Sequence, residues 1–260
     1  MKTLFLGCLC TLVMMVGLPA RAQSEKAPDP SAPDFGVYVM ERVDDQYRES
    51  KSHGVMEMKV KTKHWTRAMS MEAWSLGREY SLVRILKPKK EKGNATLKAR
   101  NDLFTYLSKT GRTIKITSGM MGGSWMGSHF TNDDLVRHTR LSEHYKIKLA
   151  FSGQAGGSEI YRFELVPHPD APVVWGKMIV TVRKQGLLPV SQEFFDEEGK
   201  KVRVLTFSDY QKVGGKMRPM TMTMKPLDKP QEFTMVHWKN IDFDVKLSKS
   251  FFTIQKLKSR

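Results

Sequence analysis

The feature that most constrains the fold of this 260-residue chain is an alternation of apolar and polar residues that begins near His53. It recurs in short segments separated by turn signals such as Lys92-Gly93-Asn94 and Glu198-Gly199. A period of two is typical of strands with one buried face. The candidate strands are 54–62, 65–75, 79–86, 95–99, 102–108, 111–117, 145–152, 158–166, 173–183, 188–196, 201–210, 217–225 and 231–243. We expect one or two of these segments to be loops.

Such a series of short antiparallel strands can bury its apolar face by curling into a barrel, an incomplete barrel or a sandwich. One helix is predicted to begin near Asp34, because Met40, Val43 and Tyr47 form an apolar stripe at helical spacing. This helix would pack on the sheet. The sequence therefore predicts a mainly β protein with a few helices, in a single domain over residues 34–260.

The N-terminus has the pattern of a signal peptide. Lys2 precedes an apolar run from Leu4 to Leu18, and the segment ends in Pro19-Ala-Arg-Ala22. Cleavage after residue 22 would place the protein in the periplasm, with residues 23–33 as a flexible leader rich in proline and small polar residues. Two alternatives are lipid attachment at Cys8 and a retained anchor, although the apolar run is shorter than the roughly 20 residues of a spanning helix.

The cysteine positions limit the disulfides that the chain can form, and its net charge limits the classes of binding partner. Both cysteines, Cys8 and Cys10, lie within the predicted signal peptide, so no disulfide is expected after cleavage. The formal net charge is +16, and removal of Lys2 and Arg21 lowers it by two. A basic surface suits nucleic acid, an anionic membrane surface or an acidic partner. Export favours the anionic membrane, and we expect no nucleic-acid partner.

Motifs of catalysis are absent from the sequence. It contains no G-x-S-x-G elbow, no H-E-x-x-H, no phosphate loop and no dinucleotide fingerprint. His129, Asp133, Asp134 and His138 are close enough in sequence to be considered as metal ligands. The alternative is a helix start with exposed polar residues, because Thr131 and Asp134 resemble a capping box. We expect no catalytic residues, no metal and no cofactor.

Methionine is the distinctive residue of this sequence. Three sets are spaced two apart, which places each set on one face of its strand. They are Met56 and Met58, Met69 and Met71, and Met220, Met222 and Met224. Methionine adapts to varied apolar shapes, so these side chains are candidates for the wall of an apolar ligand cavity. The alternative is that they pack beneath the N-terminal helix and residues 119–138 as ordinary core.

Residues 119–138 interrupt the strand alternation. Large apolar side chains stand here among glycines, a composition that suits a mobile lid over a cavity. The candidate lid residues are Met120, Met121, Trp125, Met126 and Phe130. A permanent plug on the concave side of the sheet is the alternative, and the sequence leaves both interpretations open.

Several segments resemble the LolA-like family of outer-membrane lipoprotein-sorting proteins. They are Leu82–Pro88 (LVRILKP), Leu103–Leu107 (LFTYL), Ser124–Leu135 (SWMGSHFTNDDL) and Phe194–Gly199 (FFDEEG), together with Tyr210, Pro219 and Trp238. Two positions depart from the family pattern, since tryptophan is common where this chain has Phe104 and aspartate where it has His129.

The resemblance implies a strongly curved antiparallel sheet that forms an incomplete, or half, barrel covered by helices. It also implies a function: a periplasmic carrier or chaperone that shelters acyl chains of lipoproteins or phospholipid in an apolar cavity, for transfer towards the outer membrane. An inner-membrane transporter would be a partner. The alternative is a non-transferring accessory subunit of an envelope export system with the same fold. Neither function is enzymatic.

Overall fold

The computed structural model describes residues 27–45, 49–136, 141–171 and 173–259. The predicted signal peptide and residues 23–26 of the predicted leader lie outside these residues. The helices are α1 (Phe35–Asp44), α2 (Asn132–Val136), α3 (Leu141–His144) and α4 (Ile254–Lys258). The strands are β1 (Lys51–Lys61), β2 (Thr66–Leu76), β3 (Tyr80–Lys87), β4 (Ala95–Ala99), β5 (Asp102–Leu107), β6 (Arg112–Lys115), β7 (Tyr145–Ala155), β8 (Ser158–Pro167), β9 (Lys177–Arg183), β10 (Leu188–Phe195), β11 (Lys201–Val213), β12 (Lys216–Pro226) and β13 (Phe233–Asp242).

All thirteen predicted segments are strands, and within the described residues they form one sheet. The expectation that one or two would be loops was wrong, because even the four-residue β6 pairs with β5, with Thr105 opposite Ile114. The order is β6-β5-β4-β3-β2-β1-β13-β12-β11-β10-β9-β8-β7, and every neighbouring pair is antiparallel. Two sequential meanders therefore join where β1 pairs with β13, and the sheet is open, with β6 and β7 as its edges.

This topology dictates the path of the chain between β6 and β7. Because β6 and β7 are the two edge strands of the sheet, the connection between them must span the sheet from one edge to the other. We call residues 116–136 the crossing segment. It contains two short 3-10 turns and α2. The predicted capping box at α2 is confirmed, because the Thr131 backbone N–H donates to Asp134 Oδ2 at 2.8 Å and the Asp134 N–H donates to Thr131 Oγ1 at 3.2 Å.

The larger of two apolar clusters, the main core, lies between α1, the crossing segment and one face of the sheet. The predicted helix is confirmed, with Asp34 at its N-cap and Met40 and Val43 buried. Tyr47, the third residue of the predicted stripe, lies outside the described residues. No helix among the described residues is both long and apolar enough to cross a membrane.

A smaller cluster, the C-terminal core, lies on the opposite face of β3 and β4. Its members are Tyr80, Leu82, Ala95, Leu97, Phe252 and Leu257. Because side chains alternate along a strand, β3 contributes Leu82 to this cluster and the next residue, Val83, to the main core. Helix α4 closes the C-terminal core through Leu257, which is fully buried.

Candidate functional site

A cavity of about 250 Å³ lies within the main core. Its wall is formed by the end of α1, the crossing segment and seven adjacent strands, from β3 to β10 in sheet order. Its apolar lining residues are Val43, Met56, Ala73, Trp74, Val83, Trp125, Phe130, Leu135, Leu205, Phe207, Met222, Val236 and Trp238. Small-molecule pockets are typically about 300–1,000 Å³, so the cavity lies just below the lower end of that range.

The structure divides the seven candidate methionines between the cavity wall and the packed core. Met56 and Met222 line the cavity. Met58, Met69, Met71 and Met224 are buried within the main core, and Met220 is buried away from the wall. Contact with a ligand stays a prediction for all seven. The two on the wall are the ones that a ligand in this cavity would reach.

The five candidate lid residues also differ in position. Trp125 and Phe130 are buried and line the cavity. Met126 packs against the main core, Met121 is half-buried, and Met120 is 42% exposed. Movement of this segment stays a prediction, and Trp125 and Phe130 are the two candidate lid residues that reach the cavity.

The crossing segment is attached to successive strands of the sheet. Near its middle the Trp125 indole Nε1 donates to Thr96 Oγ1 on β4 at 3.1 Å. The Arg67 guanidinium on β2 then donates to the carbonyl oxygen of Met126. The next residue, Gly127, has φ +67°, a conformation that glycine adopts without steric cost. The turn at 126–127 thus lets the chain continue towards β13.

His129 holds the crossing segment at β13. Its Nδ1 lies 2.8 Å from Thr234 Oγ1, and its Nε2 lies 3.0 Å from Glu232 Oε2. Glu232 also accepts a hydrogen bond from the Lys63 backbone N–H at 2.9 Å. The hydrogen bond with His129, followed by the one from Lys63, lowers the pKa of Glu232 below its ordinary value of 4.5. The carboxylate form of Glu232 is therefore the form that this contact favours.

A buried ion pair holds the end of the crossing segment at β11. The Arg203 guanidinium donates from both terminal nitrogens to Asp134, at 2.9 and 2.6 Å. Its Cζ also lies 4.3 and 4.4 Å from the ring centroids of Trp175 and Phe194, two rings that contact each other at 5.2 Å. Planar guanidinium groups favour such bidentate pairing and such contacts with aromatic rings. Because the charges are buried together, loss of either partner would strand the other away from water.

The candidate metal ligands that the structure describes do not come together as a metal site. His129 contacts Glu232 and Thr234, whereas Asp134 pairs with Arg203. His138 lies outside the described residues. Among the residues that the structure describes, no group of three or more histidine, cysteine, aspartate or glutamate side chains is arranged to hold a metal ion.

Sequence reasoning missed most of the cavity wall. The polar lining residues are Asp44, Ser52, Ser75, Ser81, Asp134 and Gln192. The strand predictions contained a usable signal for some of the missed residues, since Leu205 and Phe207 share one face of β11, as do Gln192 and Phe194 on β10. Alternation alone could not identify which shared face borders empty space.

Comparison with solved structures identifies the class of fold. A domain from Vibrio parahaemolyticus assigned to outer-membrane lipoprotein sorting aligns with a TM-score of 0.77 and 23% identity, over 88% of this chain and 100% of that chain. A DUF1329 family protein from Desulfovibrio piger aligns at 0.78 and 22%, with the same coverage. A LolA superfamily protein from Nitrosomonas europaea aligns at 0.71 and 19%, over 85% and 98%. The chain has the LolA-like fold, which confirms the resemblance in its sequence.

A family model described as "uncharacterized protein" matches residues 77–259. The chain therefore belongs to that family. A comparison with curated protein sequences finds no match.

Proposed function

We propose that this protein is a periplasmic carrier that shelters an acyl chain of a lipoprotein or lipid and passes it towards the outer membrane. The observation that carries the proposal is the cavity beneath the crossing segment, whose wall is mainly apolar. An acyl chain in water costs about 0.8 kcal/mol per CH₂. A carrier must replace the water around the chain with apolar contacts, and the apolar side chains of this cavity wall offer such contacts.

The open sheet supports a finer description of the carrier. The proposed shape is an incomplete barrel that curves around the cavity, with α1 and the crossing segment on its concave side. Residues of α1, the crossing segment and the sheet all belong to the main core, as this shape requires. Residues 1–22 would act as a cleaved signal peptide and residues 34–260 as one domain.

Release of the acyl chain requires the cavity to open. The crossing segment is the proposed cover, because its Trp125 and Phe130 line the cavity and the segment is attached to the sheet at separate polar contacts. The basic charge, which is +16 for the whole chain and two lower after cleavage, would bring the carrier to an anionic membrane or to an acidic face of an inner-membrane transporter.

Uptake of the uncharged fluorophore N-phenylnaphthylamine tests the proposal. The intact protein should bind it with enhanced fluorescence, and native mass spectrometry after gentle purification should detect a co-purifying lipid. Met222→Asp, on the cavity wall, should weaken uptake at least about tenfold with the fold intact, because a carboxylate there keeps water in the cavity. Met69→Asp should instead unfold the protein, since Met69 is only 2% exposed in the packed core.

Met217→Asp is the matched control on the same strand. Met217 is 43% exposed, and its substitution should leave uptake unchanged. A protein that carries no lipid and binds no fluorophore would contradict the carrier function and favour the accessory subunit of an export system. Equal loss of uptake in Met217→Asp and Met222→Asp would show that the fluorophore does not report on the cavity.

A further inference from the structure

Four connections between strands lie together at one end of the sheet. The turns β1–β2, β3–β4 and β5–β6 share this end because all neighbouring strands are antiparallel. The loop between β12 and β13 joins them, since Lys61 at the end of β1 is opposite Phe233 at the start of β13. We call this the basic end and define it by residues 61–67, 87–94, 107–112 and 226–232.

The first three of these connections concentrate positive charge. Together they contain nine lysine and arginine residues and one carboxylate, Glu91, which lies 3.5 Å from Arg67. The fourth adds the cation Lys229 and the carboxylates Asp228 and Glu232. The exposed cations of the first three are Lys63, Lys87, Lys89, Lys90, Lys92, Lys109 and Arg112.

The opposite end of the same strands has balanced charges. The turn between β2 and β3 carries Arg78 and Glu79, and the turn between β4 and β5 carries Arg100 and Asp102. The positive charge of this half of the sheet is therefore concentrated at one end of its strands. An uneven charge distribution orients a protein towards an anionic surface before contact.

Two large apolar side chains are exposed at the basic end. Trp65, just before β2, is 42% exposed, and Leu227, just after β12, is 45% exposed. Their strands are three positions apart in the sheet, which corresponds to about 14 Å. The Arg67 Cζ lies 5.5 Å from the centroid of the Trp65 ring. Tryptophan beside cationic groups is typical of the interface between a membrane and water.

The crossing segment is held at the same end of the sheet. The Arg67 guanidinium donates to the Met126 carbonyl oxygen. Glu232 contacts His129 Nε2 at 3.0 Å and accepts a hydrogen bond from the Lys63 backbone N–H at 2.9 Å. A surface that binds the basic end would therefore lie beside two of the contacts that hold the proposed cover.

We propose that the basic end docks on an anionic lipid bilayer, with Trp65 and Leu227 inserted among the headgroups and the exposed lysines in contact with lipid phosphates. This inference rests on the proposed carrier function and names the face of the carrier that meets the membrane. Seven of the nine cations in the first three connections are lysines. Lysine ammonium groups do not require the bidentate geometry that arginine favours, so they suit headgroups that move within the membrane plane.

Co-flotation of the purified protein with lipid vesicles tests the docking. Vesicles of phosphatidylcholine and phosphatidylglycerol in equal parts should bind it at least about tenfold more strongly than pure phosphatidylcholine, since anionic headgroups attract basic residues near the surface. Trp65→Ala should weaken binding to the mixed vesicles about fivefold, because it removes apolar area from the contact. Met217→Ala is the matched control, since Met217 is 43% exposed at the other end of β12, and it should bind normally.

A pair of charge reversals tests the position of the lysines. Lys89→Glu with Lys90→Glu should weaken binding to the mixed vesicles at least about tenfold. Lys146→Glu with Lys148→Glu makes the same change in net charge at exposed positions on the edge strand β7 and should bind normally. Equal losses in the two double variants would show that only net charge matters, which would overturn the docking face.

Uptake of N-phenylnaphthylamine without vesicles separates this inference from the carrier function. All four variants should take up the fluorophore normally, since the described wall of the cavity includes none of the substituted residues. Normal uptake by an unmodified protein that binds neither kind of vesicle would overturn the docking and leave the carrier function standing. Vesicle binding without uptake would remove the carrier function and leave the docking face. Binding that is lost in the Lys89 and Lys90 variant but kept in Trp65→Ala would overturn insertion into a bilayer and favour an acidic protein partner.

Discussion

The two faces of strand β3 show how one strand can contribute to a closed core and to a binding cavity. On one face Leu82 is fully buried against Leu97 and the C-terminal helix α4. On the other face Ser81 and Val83 border the cavity. The strand supplies apolar side chains in both directions, so its own composition does not explain the difference.

The covering element explains the difference. Helix α4 places the fully buried Leu257 in the C-terminal core, and its Lys256 carbonyl accepts a hydrogen bond from the buried Arg84 at 2.6 Å. The crossing segment is instead held by polar contacts at β4, β13 and β11, with Trp125 and Phe130 reaching inward between them. The crossing segment leaves a cavity beneath it although Trp125 and Phe130 reach inward, whereas α4 fills the C-terminal core with Leu257.

The largest expected effect is at the ion pair that attaches the cover. Arg203→Met leaves the buried Asp134 without its guanidinium partner and should reduce the free energy of unfolding by about 3–5 kcal/mol. Urea unfolding followed by circular dichroism measures this change. The double variant Arg203→Met with Asp134→Leu should recover most of the loss, because no buried charge is stranded. A loss below about 1 kcal/mol for Arg203→Met would show that the pair is not buried in solution.

A matched pair of leucine truncations compares the two cores directly. Leu82→Ala opens a new cavity in the C-terminal core and should cost towards the upper end of about 2–5 kcal/mol. Leu205→Ala lies on the existing cavity wall and should cost towards the lower end, because the side chain already borders empty space. Equal losses of stability would contradict the distinction between a filled core and a hollow one.

The smallest expected effect is the acid sensitivity of the contact at β13. The pKa of Glu232 is lowered in the folded protein, so its carboxylate contributes stability above the ordinary value of 4.5 and that contribution is lost as the pH falls through the lowered pKa. Thermal unfolding between pH 6 and pH 3 measures the loss. Glu232→Gln should be less stable than the unmodified protein at pH 6 and should approach it at pH 3. If the two proteins differ in stability by the same amount from pH 6 to pH 3, the charge of Glu232 does not contribute to stability.

Local pattern was sufficient to predict most of the secondary structure. Strand positions, the helix after Asp34 and the capping box of Thr131 and Asp134 depend on residues close together in the sequence, and all are found in the structure. The pairing of Asp134 with Arg203 depends on residues 69 positions apart. It follows from the strand order, which periodicity does not specify.

The candidate site illustrates the same division. Methionine spacing predicted which side chains share a strand face, and yet Met56 and Met222 border the cavity while Met58 and Met224, on the same faces, lie in the packed core. Gln192 lines the cavity, but nothing in the neighbouring sequence distinguishes it from an exposed glutamine.

The sequence by itself therefore determined a mainly β chain with an apolar side to its strands, because strand alternation is a local property of neighbouring residues. Only the tertiary structure decided where the apolar side is filled and where it is hollow. A cavity is the space between elements distant in sequence, and its position depends on how the crossing segment, α1 and seven strands meet.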